Sequence, residues 1–230
     1  MAERFDRSAD SEGTDFLYPF LGEDVEDAGD ADALLDDLAA SAVSKGAASA
    51  ELCSRTLTAN AAEVRATARA MSDRFGAGGR LLTFGNGGSS TDAAGLAALF
   101  RDPPWGQARP ARCLAEDQAV LTALGNDIGF DLVFARQIIA HGGPPDIALG
   151  TSTSGDSRNL LAAFEAAAAR GLLTVGLAGY DGGAMARSPH VEHCLVVAAD
   201  SIHRIQEVQA ALGFALWAAV EDASREVASG

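Results

Sequence analysis

Residues 146–157, DIALGTSTSGDS, join a short apolar run to a turn rich in hydroxyl groups, and a helical stretch follows this turn. The same order recurs along the chain. Other short apolar runs occupy residues 80–84, 111–115, 172–178 and 191–197. Strands that alternate with helices form a parallel sheet with helices on both faces. The sequence therefore predicts an α/β domain whose ligands bind beyond the carboxyl ends of the strands.

The chain before the first of these strands has a different character. Residues 1–30 are polar and acidic, and we expect them to form a disordered arm, with residues 31–230 forming the folded domain. Apolar residues recur at helical spacing over residues 31–75, which predicts two helices with a break near Gly46. Phe16 to Leu21 form an apolar segment within the acidic arm. This segment either folds back onto the core or binds a client protein as a short linear motif.

Net charge is concentrated at the start of the chain. Residues 1–37 contain thirteen acidic and two basic residues, so they account for most of the net charge of −15. The nearly neutral remainder offers no basic stripe for a phosphate backbone, and we expect no direct binding to nucleic acid.

Several further classes of protein are disfavoured by composition. No apolar run reaches the roughly 18 residues of a membrane span, and the N-terminus lacks the pattern of a secretory signal, so we expect a cytoplasmic protein that does not cross a membrane. The three cysteines are odd in number and widely spaced, which predicts ordinary buried thiols.

Two turns after predicted strands carry the strongest functional signals. The glycine turn, residues 85–89 (GNGGS), allows a ligand to approach the backbone, although a merely tight turn has the same composition. The hydroxyl turn, residues 152–157, places four hydroxyls at a predicted helix N-terminus. Helix capping needs only one such group, so four predict a cage for a phosphate dianion.

Five motifs follow one another along the chain: GNGGS (85–89), LGNDIGFD (124–131), STSGDS (152–157), GYDGG (179–183) and RIQE (204–207). With these motifs the chain resembles the phosphoheptose isomerase family of sugar-isomerase (SIS) domain proteins, which includes a non-catalytic branch that binds the replication initiator. The resemblance implies a SIS domain with a five-stranded parallel sheet flanked by helices, in a flavodoxin-like three-layer sandwich with N-terminal helices. It also implies a homotetramer, or at least a dimer, with sites at subunit interfaces.

Site residues follow from the resemblance position by position. Those implied to bind the sugar are Asn86, Gly87, Gly88, Asn126, Asp127 and Gln206. Those implied to bind the phosphate are Ser89, Ser152, Thr153, Ser154 and Ser157.

The catalytic positions depart from the family pattern. Where the family has a histidine and a glutamate after the glycine turn and a second histidine on the last helix, this chain has Gly95, Leu99 and Phe214. Isomerisation requires a positioned acid and base, and zinc requires N, S or carboxylate ligands. We therefore expect no zinc, no other cofactor and no family catalysis unless other residues substitute.

Few residues are available as substitutes. His203 and Glu207 flank Gln206 and are weak catalytic candidates. We expect Asp92 to cap its helix. The remaining histidines, His141, His190 and His193, are interpreted as structural.

Three functions remain open from the sequence. The first is a phosphosugar-binding protein that has lost isomerase chemistry. The second is an active isomerase of sedoheptulose 7-phosphate or a related sugar phosphate that uses substitute residues. The third is a tetrameric adaptor that binds another protein.

Overall fold

The computed structural model describes residues 28–229. Residues 1–27, and with them the apolar segment Phe16 to Leu21, lie outside the described residues. The chain divides into two compact units after Ala48. The predicted boundary at residue 30 stays a prediction.

Alternating strands and helices build the second unit, as the sequence predicted. The strands are β1 Leu81–Gly85, β2 Ala111–Cys113, β3 Ile147–Ser152, β4 Leu173–Gly179 and β5 His193–Val197. The helices are α1 Ala28–Ala59, α2 Ala61–Gly76, α3 Gly88–Arg101, α4 Gln118–Asp127, α5 Val133–His141, α6 Arg158–Ala169, α7 Gly183–Arg187 and α8 Ile202–Ser229, with a 3-10 turn at Phe130–Leu132. No helix within residues 28–229 is long and apolar enough to span a membrane.

All strand pairs of the sheet are parallel, and the strand order is β2-β1-β3-β4-β5. This order is the flavodoxin-like arrangement, so the predicted fold class is confirmed. Side chains alternate between the two faces of the sheet. Leu81 and Leu149 pack into the core that contains Trp217 of α8, whereas Leu82 packs into a second core with Phe164 of α6.

The predicted helix break near Gly46 is wrong. Helix α1 continues through Gly46 to Ala59, and the interruption falls at Asn60. One glycine inside a helix costs only about 1 kcal/mol, which neighbouring turns easily offset. At Asn60 the side-chain amide donates to the Val196 carbonyl at 3.0 Å and accepts from the Val196 N–H at 3.1 Å. The break therefore occurs where a side chain binds the backbone of edge strand β5.

Candidate functional site

Strand register brings the glycine turn and the hydroxyl turn side by side. Gly85 at the end of β1 pairs with Thr151 of β3, and Ser152 pairs with Ala178 of β4. Three strand ends therefore meet at the carboxyl edge of the sheet, where parallel sheets bind ligands.

Hydrogen bonds within the hydroxyl turn organise its shape. The Ser152 Oγ accepts the Gly155 N–H at 3.0 Å and lies 3.5 Å from the Ser157 Oγ. The Ser154 Oγ accepts the Asp156 N–H at 3.2 Å. Ser157 is the N-cap residue of α6, but its side chain makes no capping hydrogen bond. Its hydroxyl is thus not used for the structural role that would otherwise explain it.

The backbone of the motif at residues 179–183 packs closely against the hydroxyl turn. A Cβ at Gly155 would clash with the carbonyl oxygen of Gly182, and one at Gly183 would clash with that of Ser154. Both glycines also have positive φ, +72° and +56°, which other residues rarely adopt. The conformation of the hydroxyl turn therefore depends on close backbone packing against the turn after β4.

A reciprocal amide pair connects the glycine turn to helix α6. The Asn86 Nδ2 donates to the Asn159 Oδ1, and the Asn159 Nδ2 donates to the Asn86 Oδ1, both at 2.9 Å. Asn159 is buried. The sequence analysis did not predict a role for Asn159. The available signal was its position, since its side-chain amide lies only two residues after the hydroxyl turn. The pair fixes the position of Asn86, which was predicted to bind sugar.

Helix α8 also reaches the glycine turn. A Cβ at Gly88 would overlap the amide of Gln206, so glycine at this position lets Gln206 approach the backbone. Beside it, the Ser89 carbonyl accepts the Thr151 hydroxyl at 2.7 Å. Gln206, Gly88 and Ser89 therefore lie at the same end of the sheet, as their predicted roles require.

Asn126 and Asp127 lie at the end of α4 and are exposed. The Asn126 Nδ2 donates to the Asp127 Oδ1 at 2.7 Å. Neither residue lines the cavity described next. Their predicted role toward the sugar stays a prediction.

A cavity of about 250 Å³, the α3–α8 cavity, adjoins the two turns. It is lined by Thr91, Asp92, Gly95, Leu96, Leu99, Thr151, Leu177, Gln209, Ala210, Gly213 and Phe214. The lining includes Gly95, Leu99 and Phe214, the three positions at which the sequence departs from the family pattern. At these three positions the lining of the cavity is apolar.

The predicted capping role of Asp92 is wrong. Helix α3 begins at Gly88 with Gly87 as its cap, so Asp92 lies beyond the first turn. Its Oδ2 is buried without a hydrogen-bond partner, and burial raises the pKa of the carboxyl. No local signal in the sequence indicates this, because the burial comes from tertiary packing, in which α3 lies against the sheet and against α8. Asp92 is a residue of the cavity rather than a cap.

The donor set in the cavity does not fit a zinc site. Within the described part of the chain, no three His, Cys, Asp or Glu side chains are grouped so that they could hold a metal ion. Among the cavity residues only Asp92 is a ligand of these types. The expectation that the protein lacks zinc stays a prediction, and no catalytic step is assigned to a metal.

His203 and Glu207 lie on exposed positions of α8 and do not line the cavity. The Glu207 Oε2 accepts the Ser49 hydroxyl at 2.6 Å. His193 lies at the start of β5, away from the carboxyl edge, and its Nδ1 is 2.8 Å from the Glu63 Oε1. These placements give His203 and Glu207 no contact with the cavity within a single chain.

The cysteines carry no disulfide, as predicted, but only Cys113 is fully buried; Cys53 and Cys194 are partly buried. Burial, together with the charge of Glu63, raises the pKa of the Cys194 thiol to about 11. A thiol with so high a pKa is a poor nucleophile at neutral pH.

Comparison with known proteins shows which family shares this fold. The SIS domain model matches residues 46–179. A phosphoheptose isomerase from Solidesulfovibrio magneticus is 45% identical over 168 residues, which cover 70% of this chain and 79% of that protein. The structure of a phosphoheptose isomerase from Francisella tularensis superposes with a TM-score of 0.74 at 31% identity, covering 82% of this chain and 98% of that one. The phosphoheptose isomerase structure from Neisseria gonorrhoeae gives 0.72 at 32% identity, covering 82% and 99%. The chain belongs to the phosphoheptose isomerase family of SIS-domain proteins.

Proposed function

We propose that this protein binds a phosphosugar at the hydroxyl turn and does not isomerise it. The observation that carries the proposal is the contrast between a complete hydroxyl turn and an apolar wall at Gly95, Leu99 and Phe214. The turn supplies hydroxyl donors next to the N-terminus of α6, a favourable place for a dianion.

Phosphate binding has a direct test. We expect sedoheptulose 7-phosphate to raise the unfolding temperature, since a ligand at 100 times its Kd stabilises a fold by about 2.7 kcal/mol. The double variant Ser154→Ala/Ser157→Ala removes two of the hydroxyls and should abolish this stabilisation. Ser54→Ala, at an exposed position of α1, is the matched control and should retain it. Unchanged affinity in the double variant would place the phosphate elsewhere.

We expect no isomerase chemistry because of the side chains that line the cavity. Moving a proton between adjacent carbons of a sugar needs an acid and a base within hydrogen-bond reach. Asp92 is the single titratable side chain among the residues that line the cavity. A lone carboxylate can carry the proton between the two carbons, but within a single chain no second side chain of the cavity is left to move the proton between the two oxygens.

An active isomerase is the second candidate, and one observation favours it. The Asp92 carboxyl is partly buried with a raised pKa, which is the condition of many general bases. If Asp92 were such a base, sedoheptulose 7-phosphate would be turned over by the unmodified protein and not by Asp92→Asn.

We further propose that the chain assembles as a homotetramer, or at least a dimer. Leu34, Leu35 and Leu38 of α1 are more than half exposed, and a second copy would bury them. Light scattering should therefore give a mass at least twice that of the chain. A monomer at micromolar concentration would overturn this proposal.

A further inference from the structure

Gln209 of α8 links two neighbouring strands at the carboxyl edge of the sheet. The residue is buried, with only 1% of its surface exposed. Its Nε2 donates to the Ser152 carbonyl at 2.9 Å and to the Leu177 carbonyl at 3.2 Å, which uses both hydrogens of the amide. Because both partners are acceptors, they fix the direction in which the amide points. One side chain thus holds the end of β3 and a residue of β4 together.

Ser152 connects this contact to the hydroxyl turn. It is the last residue of β3 and the first residue of the turn. Its carbonyl accepts the Gln209 amide, while its Oγ accepts the Gly155 N–H at 3.0 Å and lies 3.5 Å from the Ser157 Oγ. A shift of the Ser152 backbone would therefore move the hydroxyl that shapes the turn.

The same helix contacts the glycine turn through Gln206. Residues three apart on a helix lie on one face, so Gln206 and Gln209 point from α8 in similar directions. The Gln206 amide packs against Gly88, and the Gln209 amide binds Ser152. Helix α8 therefore contacts both turns of the site through two glutamines that are one helical turn apart.

Filling space does not explain an amide at this position. The Gln209 Oε1 is buried without a hydrogen-bond partner among the described residues, and such an acceptor is unfavourable. An apolar side chain of similar size would fill the space without this oxygen, but it could not donate to the two carbonyls. The amide supplies direction to the backbone of Ser152.

We infer that Gln209 is a positioning residue of the phosphate site, which acts through Ser152 and does not touch the ligand. The inference rests on the proposed function, because the hydroxyl turn is taken as the place where the phosphate binds. Without Gln209 the hydroxyl of Ser152 is no longer held in place, and the turn loses affinity for phosphate.

A second buried glutamine provides a matched control. Gln137 of α5 is 2% exposed, and its Nε2 donates to the carbonyls of Leu114 and Val133 at 3.0 and 3.1 Å. Its Oε1 is also buried without a partner among the described residues. Neither Leu114 nor Val133 belongs to the glycine turn or the hydroxyl turn. Gln137→Met and Gln209→Met therefore remove the same number of buried hydrogen bonds, but only Gln209→Met removes one from the site.

Binding is measured by calorimetric titration of the whole protein with sedoheptulose 7-phosphate and with inorganic phosphate. We expect Gln209→Met to weaken both probes by about tenfold, the effect of one hydrogen bond, because the loss concerns the phosphate itself. Gln137→Met should weaken either probe by less than about twofold, since distant sites act independently. Thermal unfolding without ligand should show a similar loss of stability in the two variants.

Hydrogen exchange gives a readout that does not depend on a ligand. The Gly155 N–H is bonded to the Ser152 Oγ, so its exchange reports the shape of the turn. We expect faster exchange in residues 152–157 of Gln209→Met, followed by mass spectrometry, and unchanged exchange there in Gln137→Met. If Gln209→Met does not fold, Gln209→Glu keeps the shape of the side chain but lacks the N–H donors, and the same losses are expected.

The outcomes separate the two proposals. Affinities that fall equally in the Gln209 and Gln137 variants, or a loss confined to sedoheptulose 7-phosphate, would overturn the positioning role and leave the proposed function standing. Unchanged exchange of residues 152–157 in the Gln209 variants would overturn it as well. If the unmodified protein binds neither probe, the proposed function fails, and the positioning role fails with it.

Discussion

The hydroxyl turn and the α3–α8 cavity lie at the same edge of the sheet, yet their polar groups differ in whether they are hydrogen-bonded. In the turn, the hydroxyls of Ser152 and Ser154 accept backbone N–H groups and shape the loop. In the cavity, Asp92 and Gln209 each leave a buried oxygen without a partner. On the proposed function, this difference means that the phosphate-binding part of the family site is retained, whereas the part next to the reacting carbons is changed.

Replacing one glycine by alanine in each region should give the largest difference in unfolding free energy between the two regions. Gly155→Ala places a Cβ against the Gly182 carbonyl at a positive φ, and we expect a loss of about 1–3 kcal/mol in unfolding free energy together with loss of phosphosugar binding. Gly95→Ala, on the cavity side, meets no atom within 4 Å and should stabilise α3 by up to about 1 kcal/mol. Chemical denaturation of both variants measures the effects. Equal destabilisation would mean that the turn is no more constrained than the cavity.

Breaking the amide pair between Asn86 and Asn159 should have an intermediate effect, measured as a loss of phosphosugar affinity. Asn159→Ala removes both hydrogen bonds to Asn86, and we expect phosphosugar affinity to fall about tenfold, as for a loss of about 1.4 kcal/mol. The double variant Asn86→Ala/Asn159→Ala should weaken binding by less than the sum of the single effects. Strict additivity would show that the pair does not act as a unit.

The smallest expected effect is a change in unfolding temperature on removing the charge of the Asp92 carboxylate. Because burial raises the folded-state pKa of Asp92, the ionised group opposes folding at pH values above that raised pKa. Asp92→Asn should therefore unfold at a higher temperature than the unmodified protein at pH 7. The difference should shrink as the pH falls from the raised pKa towards the ordinary value of 3.8, and it should vanish below 3.8, where the carboxyl is protonated in both states. A difference that grows at low pH would contradict the burial of this charge.

The sequence predicted those parts of the molecule that depend on local pattern. The alternation of apolar runs and helical stretches led to the flavodoxin-like sheet, and the spacing of hydroxyls located the turn at 152–157. The sequence did not predict features that depend on contacts between residues far apart in the chain. The break at Asn60 depends on Val196 of β5, and Asp92 shares its cavity with residues of α8, more than 100 residues further along the chain. Such contacts leave no periodic signal.

The central claim is that phosphosugar binding persists without isomerisation. The most direct measurement follows sedoheptulose 7-phosphate in one protein preparation, by calorimetric binding, by turnover and by zinc content. One missing acid or base lowers a rate by about 100- to 10,000-fold, so we expect binding, substoichiometric zinc and turnover at the background rate. Stoichiometric zinc, or turnover that is lost on mutating Asp92, His203 or Glu207, would contradict the account and show that the chain is an enzyme.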